Sequence, residues 1–524
     1  MMIHRLLTVF AMLWAVTGCS SGTQAQSSDT AKPATRLPLA LGINIGSATW
    51  WNNNRIYANL ILGNRWQMAL QGKGWQAVPP ELIDGDGWMR PIPAGAIAFR
   101  SMNHPNFTNG FAEIICRYTG KGDIAAVWHG SVTQQFPGRN NIRFRWQTRV
   151  PSNDRESIDN IYLQVTNIDP ANPMRNIDCR ETTMDPKIRF NPAFVESVRG
   201  FKVMRYLAVM NQTTTPVLTW GARKQVTNAS QETDDGMAVE DLVALANEAQ
   251  VSPWFTLPYH ADDDYQRRFA EYVHANLDPK LVAHVELGNE VWNSVFNGQF
   301  QRAQREGIER GLSPKNNYEA LLRRYAQRTT EIMKVWTAVY KDRPESLVRI
   351  AATQNAYADT SNMVLGFEDT AKWVDALAIA PYFSFDKAKY PLDSGIENIF
   401  VGVDASIAQA LAQTDPHRAS ADRYGVRLIM YEAGQHIILP ENIPMLKAIN
   451  RAPQMETAYR RYIDGWAARN GDMMVLMQDV AAPGRYGAWG LREYLGQPLK
   501  DAPKARAAAA YLPPASPAAN KASK

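Results

Sequence analysis

The feature that most constrains this chain is a recurring alternation of short apolar runs and longer helix-period stretches, running from about residue 191 almost to the C-terminus. Phe201–Tyr206, Trp254–Tyr259, Val282–Leu287, Val348–Ala352, Val374–Ala380, Arg427–Tyr431 and Met473–Met477 read as strands. Helical periods fall between them. Val239, Leu242, Val243 and Ala246 share one face, Tyr265 to Leu277 is a second helix, and Tyr318, Leu321, Leu322, Tyr325, Ile332, Trp336 and Val339 line a long third. Strands that are apolar on both faces need helices outside them, so the pattern demands a parallel α/β sheet, and its length suits a closed (β/α)8 TIM barrel. Seven strands are one short of closure. Leu39–Ile45, apolar and ended by Gly46, is taken as the first strand, which makes the segment between it and the second strand an insertion. Ile177 to Glu181 is the competing choice and would make the same segment a separate N-terminal domain.

That segment has a different texture. Phe111–Tyr118, Ile124–Trp128, Asn141–Thr148 and Ile161–Asn167 are short alternating runs punctuated by Asn-Pro, Pro-Gly and Pro-Ser pairs. This is the pattern of an additional β-sandwich domain. The N-terminus carries Arg5, the apolar run Leu6 to Val16, and then Val16-Thr17-Gly18-Cys19. The run is too short to span a bilayer and suits a signal peptide. Small residues before a cysteine resemble a bacterial lipobox, which implies cleavage before Cys19, lipidation of its thiol and, with Ser20 following, an exported lipoprotein of the outer membrane. An ordinary signal peptide is the plainer alternative. The expected organisation is a signal peptide over 1–18, a lipidated tether over 19–36, the first barrel strand and its connection over 37–90, the sandwich over 91–185, the barrel over 186–501 and a disordered tail over 502–524. Cys116 and Cys179 remain after Cys19, and in an export compartment they form either one disulfide or two buried thiols.

Two strands run directly into glutamates. Val282–Leu287 leads to Gly288-Asn289-Glu290-Val291-Trp292, and Arg427–Tyr431 leads to Glu432-Ala433-Gly434-Gln435-His436. In a barrel the carboxyl ends of the strands carry the active site. Two facing carboxyls, one protonated and one ionised, are what glycosidic cleavage requires. Their repulsion and unequal burial separate the two pKa values.

On these motifs the chain resembles the clan A (β/α)8 retaining glycoside hydrolases, which carry Asn-Glu after the fourth strand and Glu after the seventh. It is also similar to bacterial proteins described as cellulose-binding or glycosidase-like. The resemblance spans about 195–495 and implies Glu290 as acid/base, Glu432 as nucleophile and Asn289 as the ligand of a sugar hydroxyl. It further implies Arg205 at the second strand, Tyr382 at the sixth and Trp489 near the eighth as site residues, with a sandwich resembling a carbohydrate-binding module. Ala433 stands where a glycine is common in the clan. His260, Trp292 and His436 join the expected substrate-binding set because they sit at strand ends or beside the glutamates.

The plainer readings are surface acids, a structural Arg–acid pair and aromatic core packing. Asp262-Asp263-Asp264 precedes a helical run and reads as a cap rather than a cation loop. Trp50-Trp51 follow the first strand, either as a sugar platform or as packing. The charge of +5 with no long Lys/Arg run gives no footprint for nucleic acid. No phosphate loop, His-Glu-x-x-His or Gly-x-Ser-x-Gly motif is present. No cofactor or metal is expected. The expected partners are a polysaccharide and, through the lipid, a membrane, with the protein a monomer. The rival functions are a non-catalytic polysaccharide-binding lipoprotein and a transglycosylase or cell-envelope assembly factor.

Overall fold

The computed structural model describes residues 36–514 apart from 71–73, 129–130, 152–159, 211–217 and 232–235. The expected signal peptide, the expected tether up to residue 35 and Cys19 lie outside the described residues.

Eight parallel strands close a barrel in chain order. They are β1 (Ala40–Asn44), β2 (Val203–Arg205), β3 (Ser252–Leu257), β4 (Ala283–Leu287), β5 (Leu347–Ala352), β6 (Ala376–Ile379), β7 (Arg427–Ala433) and β8 (Met473–Leu476). β8 pairs back onto β1, with Ala40 beside Met473 and Ile43 beside Leu476. The run after residue 36 is thus the first barrel strand. Ile177–Glu181 instead belongs to the longer strand Arg175–Glu181, antiparallel to Gly110–Thr119.

Side chains alternate across each strand, as a two-residue period requires. One set forms the barrel interior, including Val203, Trp254, Ile350, Ala376, Ile429, Tyr431 and Val475. The other set packs outward against the helices, where Leu257, Leu287, Leu377 and Leu428 meet Phe269, Leu321, Trp336 and Trp466. Asp262 caps the helix Asp263–Asn276, its carboxylate accepting from the Tyr265 amide at 2.7 Å. Asp263 pairs with Arg328, and Asp264 with Arg267 and Arg268.

Between β1 and β2 the chain forms two antiparallel sheets of six and four strands that share one core. In Asn141–Thr148, buried Ile142, Phe144, Trp146 and Thr148 alternate with exposed Arg143, Arg145 and Gln147. Cys116 and Cys179 lie opposite each other in adjacent strands and are joined as a disulfide.

Two expected boundaries are corrected. The sandwich does not start at 91, since Trp66–Leu70 and Gly74–Ala77 form a hairpin that extends the six-stranded sheet through Ile97–Ser101. These strands are short, and their register is set by pairing rather than by a strong periodic pattern of their own. Nor does a tail begin at 502. Pro503–Ala509 is a helix packed on Pro453–Arg469, with Lys504 buried and donating to the Ala488 carbonyl. Alanine has the highest helix propensity, and proline at the first position suits a helix start.

Candidate active site

The site is built at the carboxyl ends of β2, β4, β6 and β7. Arg205, the last residue of β2, is fully buried. Its Nη1 donates to Glu432 Oε1 at 3.1 Å and to Asn44 Oδ1 at 3.1 Å. Its Nη2 donates to Glu286 Oε2 at 2.9 Å and to Asn289 Oδ1 at 2.8 Å, and its Nε reaches Glu286 Oε2 at 3.1 Å. Burial works against the guanidinium's charge, but Glu286 and Glu432 outweigh it and hold the pKa above the ordinary value. Trp254 and Tyr431 cover the cation with their ring faces at 5.6 and 5.0 Å.

Glu432 is 7% exposed. Both of its oxygens accept hydrogen bonds, one from Arg205 and the other from the Tyr382 hydroxyl at 2.8 Å. Two donors, one of them charged, present it as an acceptor-only carboxylate. Glu290 has a different environment. Its oxygens accept from the Tyr431 hydroxyl and from Asn293 Nδ2, each at 2.7 Å, and among the described residues it has no ion pair. Burial and then the charge of Glu432 push its pKa up to about 7, against the smaller pull of these two donors.

Local backbone geometry explains how consecutive residues reach one site. Strand alternation would send Tyr431 and Glu432 to opposite faces. The β7–β8 register slips between Met430 and Ala433, and this irregularity lets both side chains take part. After β4 the chain turns through Gly288 at φ 69° and Glu290 at φ 50°. A β-carbon on Gly288 would lie 2.5 Å from a Val291 methyl, so only glycine fits. A left-handed conformation at a non-glycine residue is a cost typical of functional positions.

Asn289, Arg205, Tyr382, Glu290 and Glu432 are therefore brought into one network. His436 and Trp489 join at its edge: the His436 ring lies 5.3 Å from Tyr382, and the Trp489 indole donates to His436 Nδ1 at 3.2 Å. Burial lowers the His436 pKa, favouring the neutral ring. Trp489 stands 13 residues past the last residue of β8, on a loop folded back over the mouth. Trp292 packs part-buried on the barrel core, and no bond joins its indole N–H to either glutamate. His260 is buried after β3, where its carbonyl accepts from Arg302 and from the Leu218 amide. Trp51 is 61% exposed, edge-on to Trp50 just after β1.

The sequence reading missed Glu286, Tyr431, Asn44, Trp254 and Asn293. Glu286 carried a signal, being an acid in the middle of the apolar run Ala-His-Val-Glu-Leu. It is the countercharge that a buried Arg205 requires, and burial raises its pKa while Arg205 opposes the rise. Tyr431 carried none, because an aromatic residue before a strand end is ordinary core material.

No protein-family model and no curated protein matches the chain. Several solved structures are similar to it at low identity. A family 51 α-L-arabinofuranosidase from Bifidobacterium longum is 12% identical with a TM-score of 0.41, over 63% of this chain and 68% of that one. A Bacteroidetes-affiliated GH5 cellulase is 13% identical with a TM-score of 0.37, over 62% and 84%. The CBM22-1–GH10 modules of a Clostridium thermocellum endo-1,4-β-D-xylanase are 10% identical with a TM-score of 0.35, over 93% and 98%.

Proposed function

We propose that the protein is a retaining glycoside hydrolase that cleaves β-glycosidic bonds in a polysaccharide, a cellulose-like β-glucan or an exopolysaccharide. The observation that carries this reading is the unequal treatment of two neighbouring glutamates. Glu432 has a donor on each oxygen, and Glu290 is pushed up to about 7 by burial and by Glu432. One acid poised to release a proton beside one poised to attack is the requirement of a double displacement.

In the first step a Glu432 oxygen attacks the anomeric carbon. The bond to the leaving oxygen breaks, and Glu290 gives that oxygen its proton, leaving a glycosyl ester on Glu432. In the second step Glu290 takes a proton from water, whose oxygen attacks the anomeric carbon and frees Glu432. Tyr382 and Arg205 hold the nucleophile, and Arg205 fixes Asn289 for a sugar hydroxyl. Trp489, His436 and the exposed Trp51 suit a stacking wall for sugar rings. On the sandwich, Trp75 is 59% exposed and packs on Phe99 and Tyr162, an aromatic platform fit for a polysaccharide chain. The lipobox-like start supports an outer-membrane location for the enzyme, anchored by lipidation at Cys19.

Reducing-sugar release from a panel of β-glucans, mannans and xylans tests the reading. Wild-type protein is expected to act on one polymer. Glu432→Gln and Glu290→Gln are each expected to lose activity by orders of magnitude. Full activity in either variant removes that residue from the mechanism. Binding of a polymer without turnover by the intact protein supports a polysaccharide-binding lipoprotein instead, and longer products in place of hydrolysis support a transglycosylase.

A further inference from the structure

A cavity of about 440 Å3 lies between the sandwich and the loop that follows β2, and none of the residues lining it belongs to the glutamate network. Trp66, Asp84 and Arg100 line it from the sandwich, and Arg223, Lys224 and Asn228 from the loop. Its volume falls in the range of about 300–1,000 Å3 that small-molecule sites occupy, more than a bare inorganic anion fills.

Three side-chain donors on its lining residues are buried without partners: the indole N–H of Trp66 and the Nε–H groups of Arg100 and Arg223. Folded proteins leave few buried donors unmet, because each loses its hydration with no return. Three around one cavity point to a ligand rich in acceptors.

Arg100 adds the demand for charge. It is 1% exposed and stands directly opposite Trp66 in the paired strands. Its guanidinium lies 4.4 Å from the Trp66 ring and 5.9 Å from the Trp88 ring. Its Nη1 donates to the Ala229 carbonyl at 2.7 Å, and among the described residues no carboxylate pairs with it. Burial alone pushes its pKa down to about 9. Of the other charged residues lining the cavity, Asp84 is held by Arg175 and by the amides of Asp86 and Trp88, Arg223 is paired with Glu240, and Arg65, Asp86 and Lys224 complete the set. A buried cation without a counter-ion beside an open cavity is a half-built ion pair.

We propose that this cavity binds an acidic sugar unit, a uronate, whose carboxylate pairs with Arg100 and whose hydroxyl and ring oxygens accept from Trp66 and Arg223. The choice of a sugar rests on the glycoside hydrolase reading, while the need for an anion stands on Arg100 itself. Its lining shares no residue with the glutamate network, so it selects among polymers by whether they carry uronate residues.

The test titrates the whole protein with D-glucuronate, D-glucose and sodium phosphate at constant ionic strength, following tryptophan fluorescence and Tm. Glucuronate is expected to change both saturably, and glucose neither. Arg100→Gln weakens the apparent Kd about tenfold or more, as expected for a lost charged partner. Arg223→Gln, on the part-buried loop side, weakens it too and carries the test if Arg100→Gln does not fold. Glu432→Gln keeps glucuronate binding, so a failure of the hydrolase reading and a failure of this one are distinguishable. Equal responses to glucose and glucuronate overturn the proposal. So does a response that Glu432→Gln abolishes and the arginine variants leave intact, and so does phosphate binding without a glucuronate response.

Discussion

Tyr431 is the residue through which the two glutamates are tuned, since its hydroxyl bonds Glu290 and its ring covers Arg205. A hydrogen bond to the ionised form lowers an acid's pKa. In Tyr431→Phe that bond is gone, and Glu290 rises above its value of about 7. An acid catalyst fails as pH climbs through its pKa, so the basic limb of the kcat/KM profile moves to higher pH in the variant. An unmoved limb would assign it to another group. Arg205 carries a second consequence. Arg205→Met leaves Glu286 buried without its cation, and breaking a buried pair from one side costs about 3 kcal/mol or more. Urea unfolding should show that loss, and pairing the change with Glu286→Leu should recover part of it. A single variant as stable as wild type would show Glu286 to be neutral already. At this scale Glu290 and Glu432 were legible because each stands at the carboxyl end of an apolar run, Glu432 within β7 and Glu290 three residues past β4. Tyr431 was not, because an aromatic residue facing a barrel interior is ordinary core material, and the register slip that brings Glu432 beside it is announced by no local pattern.

Among elements, the barrel strands were the most legible, since a strand buried on both faces leaves a run of apolar residues that few other structures need. The hairpin Trp66–Ala77 and the helix Pro503–Ala509 were hidden for opposite reasons. The hairpin is too short to show a period, and the helix buries alanines, which leave no contrast between faces. The pairing of Cys116 with Cys179 was likewise open until the two strands were placed side by side. That disulfide closes a loop of 63 residues within the sandwich. A loop of that length restricts the unfolded chain by at most about 4 kcal/mol. Reduction by dithiothreitol, or Cys116→Ser with Cys179→Ser, should lower the denaturant midpoint of a sandwich-specific tryptophan signal. Barrel activity should persist below that midpoint. An unchanged midpoint would mean that the shared apolar core alone holds the two sheets.

For the whole molecule, the insertion puts a demand on closure, because the chain leaves the barrel after β1 and must return to it through the sandwich. Asp479, just past β8, ties these ends together. It is buried and accepts from the Gly46 amide at 2.8 Å and from Asn54 Nδ2 at 3.0 Å, gripping the exit of β1. Burial raises its pKa from 3.8 to about 7, against the pull of those donors. A carboxyl whose folded value exceeds its unfolded one holds its proton more tightly when folded. Its contribution is therefore greatest below about 3.8 and is lost as pH rises towards about 7. Asp479→Asn removes that slope while keeping the grip. The introduced carbonyl accepts from Gly46, and the introduced amide meets the Asn54 Oδ1, which is buried without a partner, once the Asn54 side chain flips. The variant should thus gain on wild type by a few kcal/mol between about pH 4 and 7. Glu290 titrates alike in both proteins and cancels from the comparison. Stability measured by urea at several pH values decides the matter. Parallel curves would mean that Asp479 stays ionised in the fold, with the charge of Arg492 holding it so.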